Sequence, residues 1–136
     1  TALVGTATVV MLIATGLTIN YFDFAPKLPS FTFSFLAINL LFTCVAEEAF
    51  FRGFVQERVA RRLTANWQWL AIAFSSLLFG LAHLRGGTVF VLLATVLGFG
   101  CAVAYSKTRR IEAPIFVHFS FNAVHFLLFT YPLIQK

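Results

Sequence analysis

Charge is scarce in this chain. Asp, Glu, Lys and Arg make up 11% of its 136 residues, against 60% hydrophobic. Soluble domains carry about 25% charged and about 45–50% apolar residues, so the composition argues against a soluble domain and for a membrane-embedded one. Acidic residues are the rarer sign, five against ten basic, which leaves a net charge of +5. Cysteine is sparse too. Cys44 and Cys101 both sit inside apolar runs, with no Cys-x-x-Cys and no secreted spacing, so a disulfide framework is excluded and both read as small buried hydrophobes. The apolar runs lack the in/out alternation of a membrane barrel. No internal repeat or low-complexity segment occurs. The sequence does not open on Met and no basic stretch precedes its first apolar run, so an intact signal peptide is not expected there; a fragment of a longer protein, with further helices upstream, is.

What the chain does have is five apolar runs. Residues 1–20, 30–46 and 86–106 carry no charge; 67–84 carries only His83, and 113–133 only His118 and His125. Each is near the ~20 residues a helix needs to cross ~30 Å of hydrocarbon. The expected fold is all-α, a polytopic bundle of about five transmembrane helices, with an N-terminal helix and connecting loop at 1–30 and the functional core at 31–136. Arg58, Arg61 and Arg62 follow the second run and Lys107, Arg109 and Arg110 the fourth, whereas the alternate connections hold only Lys27 and Arg85. By the positive-inside rule the loops at 55–66 and 106–112 are expected on the cytoplasmic side. These arginines read as membrane-surface anchors, and no nucleic-acid partner is expected.

Local signals fill in the connections. Pro26 and Pro29 mark the first turn. Arg85-Gly86-Gly87 closes a tight hairpin, and Pro114 suits the first turn of the last helix. Trp67, Trp69 and Tyr131 are expected interface anchors. Gly98 and Gly100 would let a neighbouring helix come close.

Three clusters stand out from this apolar background. The first is CVAEEAFFRGF at positions 44–54. A charge in mid-membrane costs about 2.5–3.5 kcal/mol on insertion scales, so Glu47, Glu48 and Arg52 must pair or face a wet cavity. Glu48 and Arg52 are four apart and share a helix face. Glu47 and Arg52 are five apart, about 140° around the helix. Glu48 is therefore the structural partner of Arg52, and Glu47 is the candidate base; a stabilising network at a helix end is the alternative. The second cluster is FGLAHL, where Phe79 and His83 share a face, although a lone membrane histidine can also simply bond a backbone carbonyl. The third is HFSFNAVH, whose His118, Asn122 and His125 form one stripe, either an interhelical seam or a site wall. Taken together, a glutamate, two histidines and an asparagine are the residue types that activate water at a carbonyl. Glu47, His83 and His118 would equally suit a zinc ion with an open position.

In order and context, Glu-Glu-x-x-x-Arg at 47–52, Phe-x-x-x-His at 79–83 and His-x-x-x-Asn at 118–122 resemble the CPBP (Abi) family of intramembrane proteases. That family includes type II CAAX prenyl endopeptidases and bacterial proteins of bacteriocin processing and self-immunity. The resemblance covers about residues 31–131. It implies an integral, multi-pass protein of a bacterial inner membrane that hydrolyses a peptide bond of a membrane-associated, lipidated or CAAX-like substrate. Its partners would be membrane lipid and a peptide or lipidated-protein substrate. By the same resemblance Glu47 is the base, His83 holds and polarises the water, and His118 and Asn122 stabilise the oxyanion. Glu48, Arg52 and Phe79 support them, and no metal or other cofactor is required. His125 lies outside the pattern. Three readings stand beside this one: a zinc-dependent hydrolase, a non-catalytic immunity or scaffold protein, and an ion pathway, which intramembrane Glu and His also suit. Counting residues from the expected cytoplasmic loops puts His118 at ~7 Å, Glu47 at ~13 Å and His83 at ~24 Å of depth, three levels for one site.

Overall fold

The apolar runs become five helices in the computed structural model, which describes residues 2–130. They are α1 (Ala2–Thr18), α2 (Thr32–Ala60), α3 (Gln68–Leu81), α4 (Thr88–Thr108) and α5 (Glu112–Leu128). Among the described residues, α2 and α4 are long and apolar enough to cross a membrane. The other three are shorter, at 17, 14 and 17 residues. Tyr131 lies outside the described residues.

The largest departure from the sequence reading is α2, which runs on through the charged cluster to Ala60. The expected loop at 55–66 therefore begins only after Ala60, and Glu47, Glu48 and Arg52 sit in mid-helix rather than at a helix end. The physical reason is pairing. The charges at 48 and 52 neutralise each other inside the bundle, so they do not stop the helix. α2 is also not uniformly α-helical. Asn39–Cys44 and Ala49–Gln56 adopt the wider π-helical turn. The amide of Val45 accordingly donates to the carbonyl of Leu40, five residues back. Such turns are uncommon and gather at functional sites.

α4 is the central post. Its buried residues, from Leu93 to Tyr105, do not keep to one stripe, as expected of a helix surrounded by others. It pairs with α3 as an antiparallel hairpin and also packs on α1 and α5. The turn between α3 and α4 ends at Gly87, whose φ of +86° favours glycine. Small residues set the helix spacing. Gly98 faces Phe79 and Arg52, Gly100 faces Thr8 of α1, and Gly80 faces Thr95. A β-carbon at Gly80 or Gly100 would collide with the facing threonine, so the packing role read from Gly98 and Gly100 holds.

Helix ends are closed by the chain itself. α1 stops in a Schellman turn: Tyr21 N–H bonds Gly16 O at 2.8 Å, Asn20 N–H bonds Leu17 O at 3.1 Å, and Asn20 takes φ +53°. The segment that follows straps across the far end of α5. Ala25 and Lys27 donate their amides to Leu128 O and Leu127 O, both at 2.8 Å. These are terminal carbonyls that α5 cannot satisfy itself. The ammonium of Lys27 adds a bond to Phe129 O, a cation where the helix dipole favours one. At the opposite end of the bundle, Gln68 Nε2 caps Ala60 O and Leu63 O at 2.8 and 2.9 Å, so α3 starts level with the end of α2.

Candidate active site

The polar residues of α2 take two directions. Arg52 and Glu48 are fully buried and paired, Nη1 to Oε2 at 3.1 Å. Arg52 Nη2 also donates to the carbonyl of Gly98 at 2.7 Å, and its guanidinium lies 4.6 Å above the Phe79 ring. Glu47, the next residue along, points away from this pair toward a cavity and keeps 30% of its side chain exposed. The four-residue spacing argument thus separates the glutamates as the coordinates do.

Two imidazoles approach the same oxygen of Glu47. His83 Nδ1 lies 2.7 Å from Phe79 O. A carbonyl only accepts, so Nδ1 carries the hydrogen and Nε2 is left facing Glu47 Oε2 at 4.0 Å. His83 therefore bonds a backbone carbonyl and faces the carboxylate at once. His118, 4% exposed, sets Nδ1 at 2.7 Å from Glu48 Oε1. The arginine-paired carboxylate accepts that hydrogen, and His118 Nε2 is also 4.0 Å from Glu47 Oε2. In His83 the contact on Nδ1 fixes what Nε2 presents, and in His118 it fixes the direction in which Nε2 points. Phe79 packs edge-on to His118 at 5.6 Å and tilted on His83 at 4.8 Å, holding the two rings apart.

Asn122 is one turn beyond His118 on α5. Its Nδ2 donates to Asn39 Oδ1 at 3.1 Å and reaches Cys44 Sγ at 3.7 Å. Both cysteines are buried and free. Asn39 was not singled out in the sequence, although a carboxamide amid the uncharged run at 30–46 is a usable signal. Glu47, His83, His118 and Asn122 all line one cavity of about 630 Å³, and Asn39 lines it with them. Its other walls are largely apolar, including Phe35, Phe90, Leu93 and Leu97. Tyr21 and Phe22 of the strap close one side, and His125 meets Phe22 there at 4.7 Å. Nothing in the sequence pattern pointed to the strap, much of whose hold on α5 is backbone hydrogen bonding to residues a hundred or more positions away.

Chain geometry resolves the three depths. From the common level of Ala60 and Gln68, Glu47 is thirteen residues along α2 and His83 fifteen along the α3 chain, about 20 and about 22 Å. α5 starts further in. Arg109 bonds Glu57, nearly a turn before the end of α2. From there Glu48 is about 13 Å away and His118 about 9 Å, a gap that their side chains bridge. The earlier mismatch came from ending α2 too soon and from giving both basic ends the same depth.

Among the described residues, no group of three or more His, Cys, Asp or Glu has the geometry to hold a metal ion. The nearest set is Glu47, His83 and His118. A tetrahedral zinc with bonds of about 2.0–2.1 Å has ligand–ligand edges of about 3.3 Å, and the two 4.0 Å separations are wider. The residues as placed do not fit the ion.

No similar protein was found among curated sequences, and none among solved structures. Residues 29–124 match the family model described as type II CAAX prenyl endopeptidase Rce1-like. The match takes in more than half of the chain, Asn39 and all of the polar clusters except His125; α1 and most of the strap lie outside it. The chain belongs to the Rce1-like type II CAAX prenyl endopeptidases, a protease family.

Proposed function

We propose that the protein is an intramembrane endopeptidase in which Glu47 activates a water molecule for attack on a peptide carbonyl. One observation carries the reading: two imidazole Nε2 atoms each lie 4.0 Å from the same Glu47 Oε2, within a cavity. That spacing is too long for direct bonds and suits a water held between the carboxylate and the imidazoles. The water hydrogen-bonds to Glu47 and to His83 Nε2. As its oxygen forms the bond to the carbonyl carbon, one proton passes to Glu47, which delivers it to the amine nitrogen when the C–N bond breaks. Base catalysis of this kind contributes about 10²–10⁴-fold. His118, held through Nδ1 by the Glu48–Arg52 pair, sets Nε2 beside the reacting oxygen and donates to the oxyanion when both ring nitrogens carry hydrogen; Asn122 supplies a further donor. Each such donor is worth about 10²–10³-fold.

We place all five helices in a bacterial inner membrane, with the ends carrying Arg61, Arg62, Arg109 and Arg110 on the cytoplasmic side. The short α3 is lengthened by helical turns at Ala65–Trp67 and Leu84–Gly86. Trp67 and Trp69 are more than half exposed at its start. Outward-facing Phe33 and Phe42 of α2, 85% and 75% exposed, suit lipid. The apolar cavity walls suit a membrane-associated peptide, lipidated or CAAX-like, as substrate.

The test is cleavage of a membrane-peptide library by the purified full-length protein. Glu47→Gln and His83→Ala should abolish cleavage and leave the fold intact; normal cleavage by Glu47→Gln would overturn the base assignment. A zinc hydrolase is the second reading. The Nδ1 contacts of His83 and His118 are of the kind that orient metal-binding histidines, but the donor spacing favours water. Stoichiometric zinc whose removal and return switch activity off and on would reverse that preference. Protection of cells by a Glu47/His83 double mutant would instead favour a non-catalytic immunity or scaffold role.

A further inference from the structure

We infer that Asn39 is a positioning residue for Asn122, and that the π-helical turn at Asn39–Cys44 exists to bring it there. The inference rests on the assignment of Asn122 to the oxyanion. In a regular α-helix, residues five apart point about 140° away from each other. Asn39 and Cys44 are five apart, yet Cys44 Sγ lies 3.4 Å from Asn39 Oδ1. The turn aligns i with i+5, which sets both side chains toward α5. Asn39 Oδ1 then accepts from two donors, the thiol of Cys44 and Nδ2 of Asn122 at 3.1 Å. A carbonyl oxygen has two acceptor sites, and both are used.

As placed, the oxygen of Asn39 faces Cys44 and Asn122 and accepts from both. Asn122 thereby presents its NH₂ to the cavity side of α2 rather than its own oxygen. One of its hydrogens is held by Asn39. The other lies toward Cys44 Sγ at 3.7 Å, a weak acceptor that a developing oxyanion displaces. Without Asn39 the carboxamide of Asn122 could rotate and present oxygen to the oxyanion, turning a stabilising contact into a repulsive one.

The test is a double-mutant cycle on the full-length protein with a membrane peptide it cleaves: Asn39→Ala, Asn122→Ala and the pair. Loss of one oxyanion donor costs about 10²–10³-fold in kcat, so Asn122→Ala should fall in that range and Asn39→Ala at about 10-fold or more, with KM nearly unchanged. The double variant should be no slower than Asn122→Ala alone. A structural role would instead lower the unfolding midpoint and give losses that multiply. If Asn39→Ala does not fold, Asn39→Ser keeps a polar group in the turn but cannot reach Asn122, and the same kcat loss is expected. Wild-type kcat in the folded Asn39 variant, or multiplying losses, overturns the inference. Full activity of Asn122→Ala would overturn the oxyanion assignment on which it stands.

Discussion

The two halves of α2 use buried polar groups in opposite ways. In the C-terminal half, Arg52 Nη2 bonds Gly98 O at 2.7 Å, and Gln56 Nε2 bonds Ala102 O at 3.0 Å and Ser106 Oγ at 3.1 Å. These side chains are 0–1% exposed. They rivet α2 to α4 along a parallel register, each taking a backbone carbonyl where the glycine or alanine leaves room. In the N-terminal half, Glu47 and Asn39 face the cavity, and no buried polar ladder crosses to α4. A polar group in hydrocarbon is costly unless bonded. The C-terminal half offsets much of that cost by anchoring helices, with only Arg52 Nε and Gln56 Oε1 of its two anchoring side chains left without a hydrogen bond. Glu47 Oε2, also without one, faces the cavity instead, where water or substrate can bind.

Replacing one residue at a time should sharpen that contrast. Arg52→Ala should have the largest effect. It strands Glu48 as an uncompensated buried charge, a loss of about 3–5 kcal/mol, seen as a collapse in folded yield and unfolding midpoint together with activity. Glu47→Gln comes next in total effect. Cleavage should fall by about 10²–10⁴-fold while the unfolding midpoint stays within error, since the group makes no direct hydrogen bond to another side chain. Gln56→Ala should cost about 1 kcal/mol of stability, the net worth of a typical hydrogen bond, and leave kcat unchanged. Arg109→Ala should do least. Its bonds to Glu57 are short, at 2.6 and 2.7 Å, but half of the side chain is exposed, so about 0–1 kcal/mol is expected. An Arg52→Ala protein that folds normally, or a Glu47→Gln protein that does not, would dissolve the division of α2 into a riveted half and a reactive half.

Much of this division could be read from spacing. The four-residue interval assigned Glu48 to Arg52 and freed Glu47, because side-chain faces follow the helical period. Gly98 and Gly100 were readable as close-packing sites for the same reason. Three features were not. The length of α2 was hidden because hydropathy treats paired and unpaired charges alike, so residues 47–52 looked like an end. The alignment of Asn39 with Cys44 was hidden because it depends on π-turns, which break the period that face assignments assume. The strap was hidden because most of its hydrogen bonds are main-chain ones, which leave no side-chain signature. Depth counting failed through the first of these, since three residues that line one cavity were measured from a wrong origin.

The wide turns of α2 have one more consequence. Each side chain's direction on α2 depends on how many residues precede it in the helix, and each residue adds about 100° of rotation. Removing a single residue between Cys44 and Glu47 would swing everything before it by that angle, turning Asn39 away from α5 without altering any functional group. This stretch should therefore accept many substitutions yet no change of length. Its coding sequence is constrained in spacing more tightly than in composition.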